Sequence, residues 1–442
     1  MDISVERYHY PVGQGIFSAQ IIRGLGDSKY VCVYDCGSTN GSKNIPKYAK
    51  DLDKKADGKI DLLVISHFDA DHVNGVKELD KIFKIEKIII PYLSRQERIL
   101  FLLNKGWQGV NRANNPFEAK GFLRCVIKMY SNADEGNSAY DDDLYFEDSV
   151  VEFSNREVAR EIVQLNPWRL SSVEWEFVYF SVYSNQYNEK KKEFIDIFER
   201  EFTAQFSKSI DSIDANFIAD NWLVIKNVYD AVFNIMKNKY PKSGKLDYNK
   251  SSIILYSGLV DDKPRDNLRY KLWLKEDGWV CGCHAGSIGY SDLVYHDDCC
   301  TYPCNQCPDI QKHRLLTNNS RGWRDYLCCK NRTGWLGTGD AYFRIFGNCY
   351  ELSEKLGVGR LASVRELIVP HHGAKKNSCS AFFNLFNNFF NVICIIHSKV
   401  SSYNHPHKDV VQNIKNVDNL VPVHVTDDKC TQYNSTVCIR IF

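Results

Sequence analysis

No part of this 442-residue sequence approaches the ~18 consecutive apolar residues that a membrane-crossing helix requires. A polytopic or anchored architecture is therefore not expected, and neither is a membrane partner. The segment Met1-Asp2-Ile3-Ser4-Val5-Glu6-Arg7 lacks a basic region followed by an apolar core. No secretory leader is expected from it, and the chain reads as cytoplasmic. Neither sign of charge is in excess: 56 Lys and Arg face 55 Asp and Glu, for a net charge of +1. That balance excludes a general basic field around the molecule, so any contact with a polyanion must come from a local groove. Internal repeats and low-complexity tracts are missing too, which excludes a solenoid. What remains is a chain with 44% hydrophobic residues, long enough for two or three structural units.

Against this background one segment stands out. Ile65-Ser66-His67-Phe68-Asp69-Ala70-Asp71-His72 packs four possible metal ligands into six residues, directly after the apolar run Asp61-Leu62-Leu63-Val64-Ile65. On an extended chain His67 and Asp69, two residues apart, point the same way. Asp71 and His72 fall where the chain turns toward a helix expected over Val76–Phe83. One short loop can thus serve two neighbouring cations.

Partners for this loop appear late in the chain. Gly337-Thr338-Gly339-Asp340-Ala341 places a carboxylate on a glycine-flanked turn after a short apolar stretch. Leu367-Ile368-Val369-Pro370-His371-His372-Gly373 reads as a strand ending in paired histidines, and Tyr403-Asn404-His405-Pro406-His407 follows a strand over Asn391–His397. A lone histidine at a strand end is by default structural. Four ligand-bearing strand ends in one chain point instead to a site carried on loops and positioned by a rigid sheet.

The order of these motifs resembles the metallo-β-lactamase fold, and in detail the hydrolase domain of ComEC-type DNA-uptake proteins. The resemblance rests on Pro11-Val12-Gly13-Gln14-Gly15, on Tyr34-Asp35-Cys36-Gly37, and on Ser66 to Gly75 as SHxDxDHxxG. It continues with Asn249 to Ser252 as N-x-x-S, then TGDA, VPHHG and a closing His405-Pro406. It covers residues 1–93, 249–257 and 335–442. It implies an α/β fold, a four-layer αββα metallo-β-lactamase sandwich with two insertions, and a dinuclear site for two divalent metal ions, zinc or manganese. By the same resemblance His67 and Asp69 belong to one metal position and Asp71 and His72 to the other, with Asp340 bridging them. One of His371, His372 and His405 would complete the second position. We favour His371 as ligand or near-ligand and His405 at the site edge; which of the three is ligand and which is proton donor stays open. Asp71, His371, His372 and His405 are the expected catalytic groups, and Asp35 and Ser66 the expected orienters of imidazole rings. Lys375, Lys376 and Ser378 could hold a phosphate or simply form an exposed loop. The chain departs from the common HxHxDH form at Asp69, a harder ligand than imidazole that admits manganese or magnesium beside zinc. The isolated histidine of the common form has no counterpart except His284, His296 or His313.

The resemblance implies a metal-dependent phosphodiester hydrolase, a nuclease acting on DNA or RNA. The alternative is a hydrolase of a small molecule such as a nucleotide messenger or ester, and a third reading is a metal-stabilised scaffold. A nucleic acid or nucleotide is the expected substrate. By analogy alone, partner proteins in a bacterial defence complex are also expected.

Sixteen cysteines are many for a chain expected to be cytoplasmic, where stable disulfides are rare. Eight of them, Cys281, Cys283, Cys299, Cys300, Cys304, Cys307, Cys328 and Cys329, cluster with His284 and His296. Cys281-x-Cys283 and Cys304-x-x-Cys307 are knuckle-like pairs suited to one or two structural zinc ions, against the alternative of free thiols or disulfides. Cys32, Cys125, Cys394 and Cys438 lie among apolar residues and read as core. The expected organisation is a core over 1–93, a mainly helical insertion over 94–248, a core strand at 249–257, a cysteine-rich insertion over 258–334, and the remaining core over 335–442. Helices are expected over Arg95–Asn104, Val150–Leu165, Lys190–Phe206 and Ala219–Lys239. Asp134 to Asp148 reads as an acidic solvated loop and Lys190-Lys191-Lys192 as a solvated helix face. Trp107, Trp168 and Trp175 read as core in preference to base-stacking platforms.

Overall fold

The computed structural model describes residues 2–24, 29–39, 42–91, 159–164, 174–182, 185–212, 217, 220–240, 252–260, 270–281, 312–314, 324–326, 333–387, 392–399 and 404–441. It is a mixed α/β structure built on two large sheets. In chain order the first half supplies β1 (Asp2–His9), β2 (Phe17–Arg23), β3 (Lys29–Cys36), α1 (Ile45–Ala56), β4 (Lys59–Ile60), β5 (Leu62–Val64), α2 (Ala70–Val73), α3 (Val76–Asp80), β6 (Lys84–Ile85) and β7 (Ile88–Ile89). Then come β8 (Ala159–Gln164), β9 (Glu174–Ser181), α4 (Asn185–Phe206), α5 (Trp222–Lys239), β10 (Ile253–Leu259), β11 (Tyr270–Cys281), β12 (Lys312–Arg314), β13 (Arg324–Tyr326) and β14 (Gly334–Gly337). The last part supplies α6 (Phe346–Ser363), β15 (Val364–Ile368), α7 (Ser380–Asn384), β16 (Val392–His397), α8 (Lys408–Lys415), β17 (Leu420–Val425) and β18 (Tyr433–Ile441).

The first sheet runs β12-β11-β18-β1-β2-β3-β5-β7, with β13 also on β11; the second runs β17-β16-β15-β14-β10-β9-β8. The pairings β3–β5–β7 and β14–β15–β16–β17 are parallel, and the rest of the long ladders are antiparallel. Parallel strands buried on both faces should read as continuous apolar runs. That is how β15 (Val-Arg-Glu-Leu-Ile) departs from rule and β16 (Val-Ile-Cys-Ile-Ile-His) obeys it; both are buried throughout. The two charges in β15 therefore require buried partners.

Three large apolar clusters show how the layers are held. One lies between the sheets, joining Ile3, Val5, Tyr34 and Leu62 of the first to Trp175, Phe177, Leu255 and Trp335 of the second. A second packs Ala19, Ile21, Val33 and Leu63 against α1, α4 and α5 through Leu52, Phe198 and Val232. A third packs Ile254, Leu336 and Leu367 against α6, α7 and α8 through Leu352, Phe382 and Ile414. Each buried side chain of this size contributes roughly 1.5–3 kcal/mol, which is why the sheet faces dictate where helices settle.

Several expectations need correction here. The helix expected over Val150–Leu165 is instead a strand over residues 159–164, which pairs antiparallel with β9, Ile162 facing Glu176 and Val163 facing Trp175. Strand pairing along β9 overrides the local helical pattern of this charged stretch. Among the described residues of the region 94–248, β8 and β9 extend the second sheet outward from β10. Helices do occupy its later part, at α4 and α5. Within 258–334, β11 is a strand of the first sheet, paired with β18 from Tyr270↔Ile441 to Gly278↔Tyr433. This stretch therefore enters the core sheet. Its end, Cys281, pairs with Lys312 of β12. Cys283, Cys299, Cys300, Cys304, Cys307, Cys328 and Cys329 lie outside the described residues, as do His284, His296, Arg95–Asn104, Asp134 to Asp148, Trp107 and Trp168. Trp175 is fully buried, with its indole N–H donating to Ser257 Oγ at 2.8 Å.

Candidate metal centre

The parallel strands β5, β14, β15 and β16 each lead at their C-terminal ends into one of the ligand-bearing segments. β5 leads into Ser66–His72, β14 into Thr338-Gly339-Asp340, β15 into Pro370–Gly373, and β16 toward His405. β5 belongs to the first sheet and the other three to the second, so the site straddles both.

The loops are held in conformations that only a close-packed surround can impose. Asp35, His371 and His372 have φ of 55°, 48° and 56°, in the left-handed region that L residues avoid at a cost of about 1–2 kcal/mol each. The turn is fixed by His371 N–H donating to Gly339 O at 2.9 Å and Ala374 N–H donating to His371 O at 2.8 Å. Gly37, in the Asp35-Cys36-Gly37 turn, explains why that position takes no side chain: a Cβ there would lie 2.5 Å from Asp71 C and His72 N. We expect Gly37→Ala to push the loop outward and weaken divalent-metal binding at least tenfold while the circular dichroism spectrum stays native. Titration calorimetry with manganese or zinc checks this, and unaltered affinity would refute it.

The side chains converge. His67 Nε2 stands 3.4 Å from Asp340 Oδ2, and His72 Nε2 stands 3.5 Å from Asp340 Oδ1. His372 Nε2 lies 3.2 Å from Asp71 Oδ2. Two groups result whose donor atoms could hold a metal ion: His67, His72 and Asp340; and Asp71, His72 and His372. His72 belongs to both. His371 takes a different place, with its Nδ1 3.2 Å from Asp340 Oδ2 and its ring 5.8 Å from that of His405. Asp69 lies at the margin, 3.8 Å from His67 Nε2. Lys375, expected as a possible phosphate contact, is paired with Asp409 at 2.5 Å, and Ser378 is buried.

Hydrogen bonds on the far side of each ring aim the donors. Asp35 Oδ2 lies 2.7 Å from His72 Nδ1, while Asp35 Oδ1 accepts from Ser66 N–H at 2.6 Å. His372 Nδ1 donates to His397 O at 2.6 Å. Ser66 Oγ is 3.0 Å from His67 Nδ1 and donates to Asp35 Oδ2 at 2.7 Å. Ser252 was missed as a site residue. Its Oγ accepts from Asp340 N–H at 3.0 Å and lies 3.3 Å from His67 Nδ1. Its place at the end of the N-x-x-S stretch was the available signal. With Nδ1 engaged, Nε2 of His67, His72 and His372 faces inward, buried and without a well-formed hydrogen bond. That is the arrangement by which second-layer contacts fix the tautomer of a ligating imidazole.

The electrostatics agree. Burial alone would lower His72 and raise Asp71 and Asp340. The carboxylates of Asp35, Asp340 and Asp71 outweigh it, holding His72 well above its ordinary value. The imidazoles hold Asp71 and Asp340 below theirs. The cavity favours positive charge among its donors, and imidazole nitrogen with carboxylate oxygen is a donor set suited to zinc or manganese. Burial, with help from His371 and His372, brings His405 down to about 4, so it is neutral at neutral pH.

Residues 20–104 match the family model described as the metallo-beta-lactamase superfamily. The matched segment contains Asp35 and the whole of His67–His72, and it supports this fold family. No curated protein matches the chain. Together with the two donor groups, the match points to a metal-dependent hydrolase. Among the described residues, no helix is long and apolar enough to cross a membrane.

Proposed function

We propose that the chain is a metal-dependent phosphodiester hydrolase, a nuclease acting on DNA or RNA, built on a four-layer αββα core related to ComEC-type hydrolase domains. The observation that carries this reading is the pair of neighbouring donor groups that meet at the buried His72. His67, His72 and Asp340 would hold one cation, and Asp71 and His372 would hold the other beside it. When bound, the two divalent ions would supply activated water and offset charge on the phosphoryl oxygens. The protein's own work is positional. Asp35, Ser66, Ser252 and the His397 carbonyl keep the rings aimed. His371, partly exposed and adjacent to Asp340, is placed to pass a proton to the leaving oxygen. His405, neutral beside it, lines the same open side.

The test is cleavage of single-stranded DNA and RNA oligonucleotides with manganese or zinc. The expected result is turnover in the wild type and loss of roughly a thousandfold or more in Asp71→Ala, the scale of several kcal/mol of transition-state stabilisation. One observation favours the second reading, hydrolysis of a small nucleotide or ester. Two lysines on the strand-end loops are already paired, Lys375 with Asp409 at 2.5 Å and Lys399 with Asp427 at 3.2 Å, leaving less free positive charge for a long polyanion. Intact oligonucleotides alongside turnover of cyclic nucleotides would select that reading.

A further inference from the structure

Two thiols meet just behind the Asp340 turn. Cys349 lies in the first turn of α6 and Cys379 immediately precedes α7. Both are free thiols, Cys349 buried and Cys379 partly exposed. Both donate to one acceptor, the Phe343 carbonyl, at 3.4 Å from Cys349 Sγ and 3.2 Å from Cys379 Sγ. Sharing a single oxygen brings the two sulfurs within reach of each other. Phe343 is itself fastened on both sides. Its N–H donates to Asn377 O at 2.6 Å, and its ring stacks on Phe382 at 4.5 Å. Asn377 Nδ2 in turn donates to Asp340 O at 2.8 Å. The thiol pair therefore sits where the backbone of the Asp340 turn meets the segment that follows His371 and His372.

We propose that Cys349 and Cys379 form a reversible disulfide, an oxidation site that ties the Asp340 turn to the segment following the paired histidines. The inference does not rest on the hydrolase reading. The oxidant is hydrogen peroxide. The sulfur of Cys379, the one open to solvent, attacks the peroxide oxygen; the O–O bond breaks, Cys379 becomes a sulfenic acid and one water leaves. The sulfur of Cys349 then attacks the sulfur of Cys379. The S–S bond forms, and the hydroxyl departs with the Cys349 proton as a second water. Both sulfurs are oxidised and the peroxide is reduced. The order follows from the surroundings: burial, reinforced by the adjacent Cys379 thiol, pushes Cys349 up to about 12, so it keeps its proton until its neighbour has been oxidised.

The experiment treats the full chain with dilute hydrogen peroxide, alkylates remaining thiols and digests with trypsin without reduction. The expected product joins peptide 345–355, whose single cysteine is Cys349, to peptide 377–399, which carries Cys379 and Cys394. It should be lighter by two hydrogen atoms than the separate peptides combined and should vanish on reduction. It should be lost in Cys379→Ser and persist in Cys394→Ser. Recovery of both peptides separately alkylated, at a peroxide level that oxidises cysteines elsewhere in the chain, would overturn the proposal. So would a link that disappears with Cys394→Ser.

Discussion

His72→Ala is expected to remove tight divalent-metal binding altogether, with a loss of metal affinity larger than any other single replacement at the site. His72 is the one residue common to both donor groups, and its ring is wholly buried between Asp35 and Asp340. Removing it deletes the inward-facing imidazole donor beside Asp340 and leaves Asp35 and Asp340 without the ring that separates them. The neighbouring residues provide the scale. Asp35→Ala keeps every donor but frees the His72 ring, and is expected to weaken binding about 10–100-fold. Asp69→Ala should change it little, because Asp69 stands outside both groups. Metal content after dialysis and calorimetric titration of the three variants decide the matter. An order in which Asp69 matters more than His72 would show that the donor groups are wrongly drawn.

Glu366→Gln is expected to destabilise the fold by about 3–5 kcal/mol, the usual result of leaving one partner of a buried ion pair alone. Glu366 on β15 of the second sheet meets Arg7 on β1 of the first at 3.2 Å, and both are essentially inaccessible. Arg7 also donates to Thr333 O, His9 Nε2 approaches Glu366 Oε2 at 3.2 Å, and Ser435 Oγ donates to Glu366 Oε1. Burial would raise Glu366, but the Arg7 charge and the contacts with His9 and Ser435 outweigh it and bring it down to about 2. A carboxylate depressed in the folded state stabilises fully above its unfolded value, about 4.5, and loses that contribution as pH falls toward 2. Urea unfolding at neutral pH and at pH near 3 should therefore show wild type and Glu366→Gln converging in acid. A double replacement, Arg7→Met with Glu366→Leu, should recover much of the loss, since apolar substitutes often match a buried pair. Equal stability of wild type and Glu366→Gln at neutral pH would show that the cluster is not holding the sheets together.

The strand ends were legible in the sequence because each combines a local apolar run with ligand residues directly after it. Asp61–Ile65 and Leu367–Gly373 need no long-range information. The core strand expected at 249–257 pairs with β14, Tyr256 opposite Leu336, across the long segment between them. The choice between His371 and His372 was not legible. Adjacent residues in a left-handed turn point in directions set by distant partners, Gly339 O for one and His397 O for the other. Residues 159–164 carry a local helical pattern, and only their pairing with Trp175 and its neighbours on β9 makes them a strand. Arg7 and Glu366 are 359 positions apart, and nothing near either one hints at the other.

The ladder of β1 has a consequence for how the molecule is made. β18 lies between β1 and β11, with Asp2 opposite Arg440 and Lys271 opposite the same residue on the other side. During synthesis one edge of β1 has no strand beside it until residues 433–441 leave the ribosome. The first sheet is thus completed late, by contacts of very high sequence separation, which are the slowest to form and the most exposed to mispairing between nascent chains.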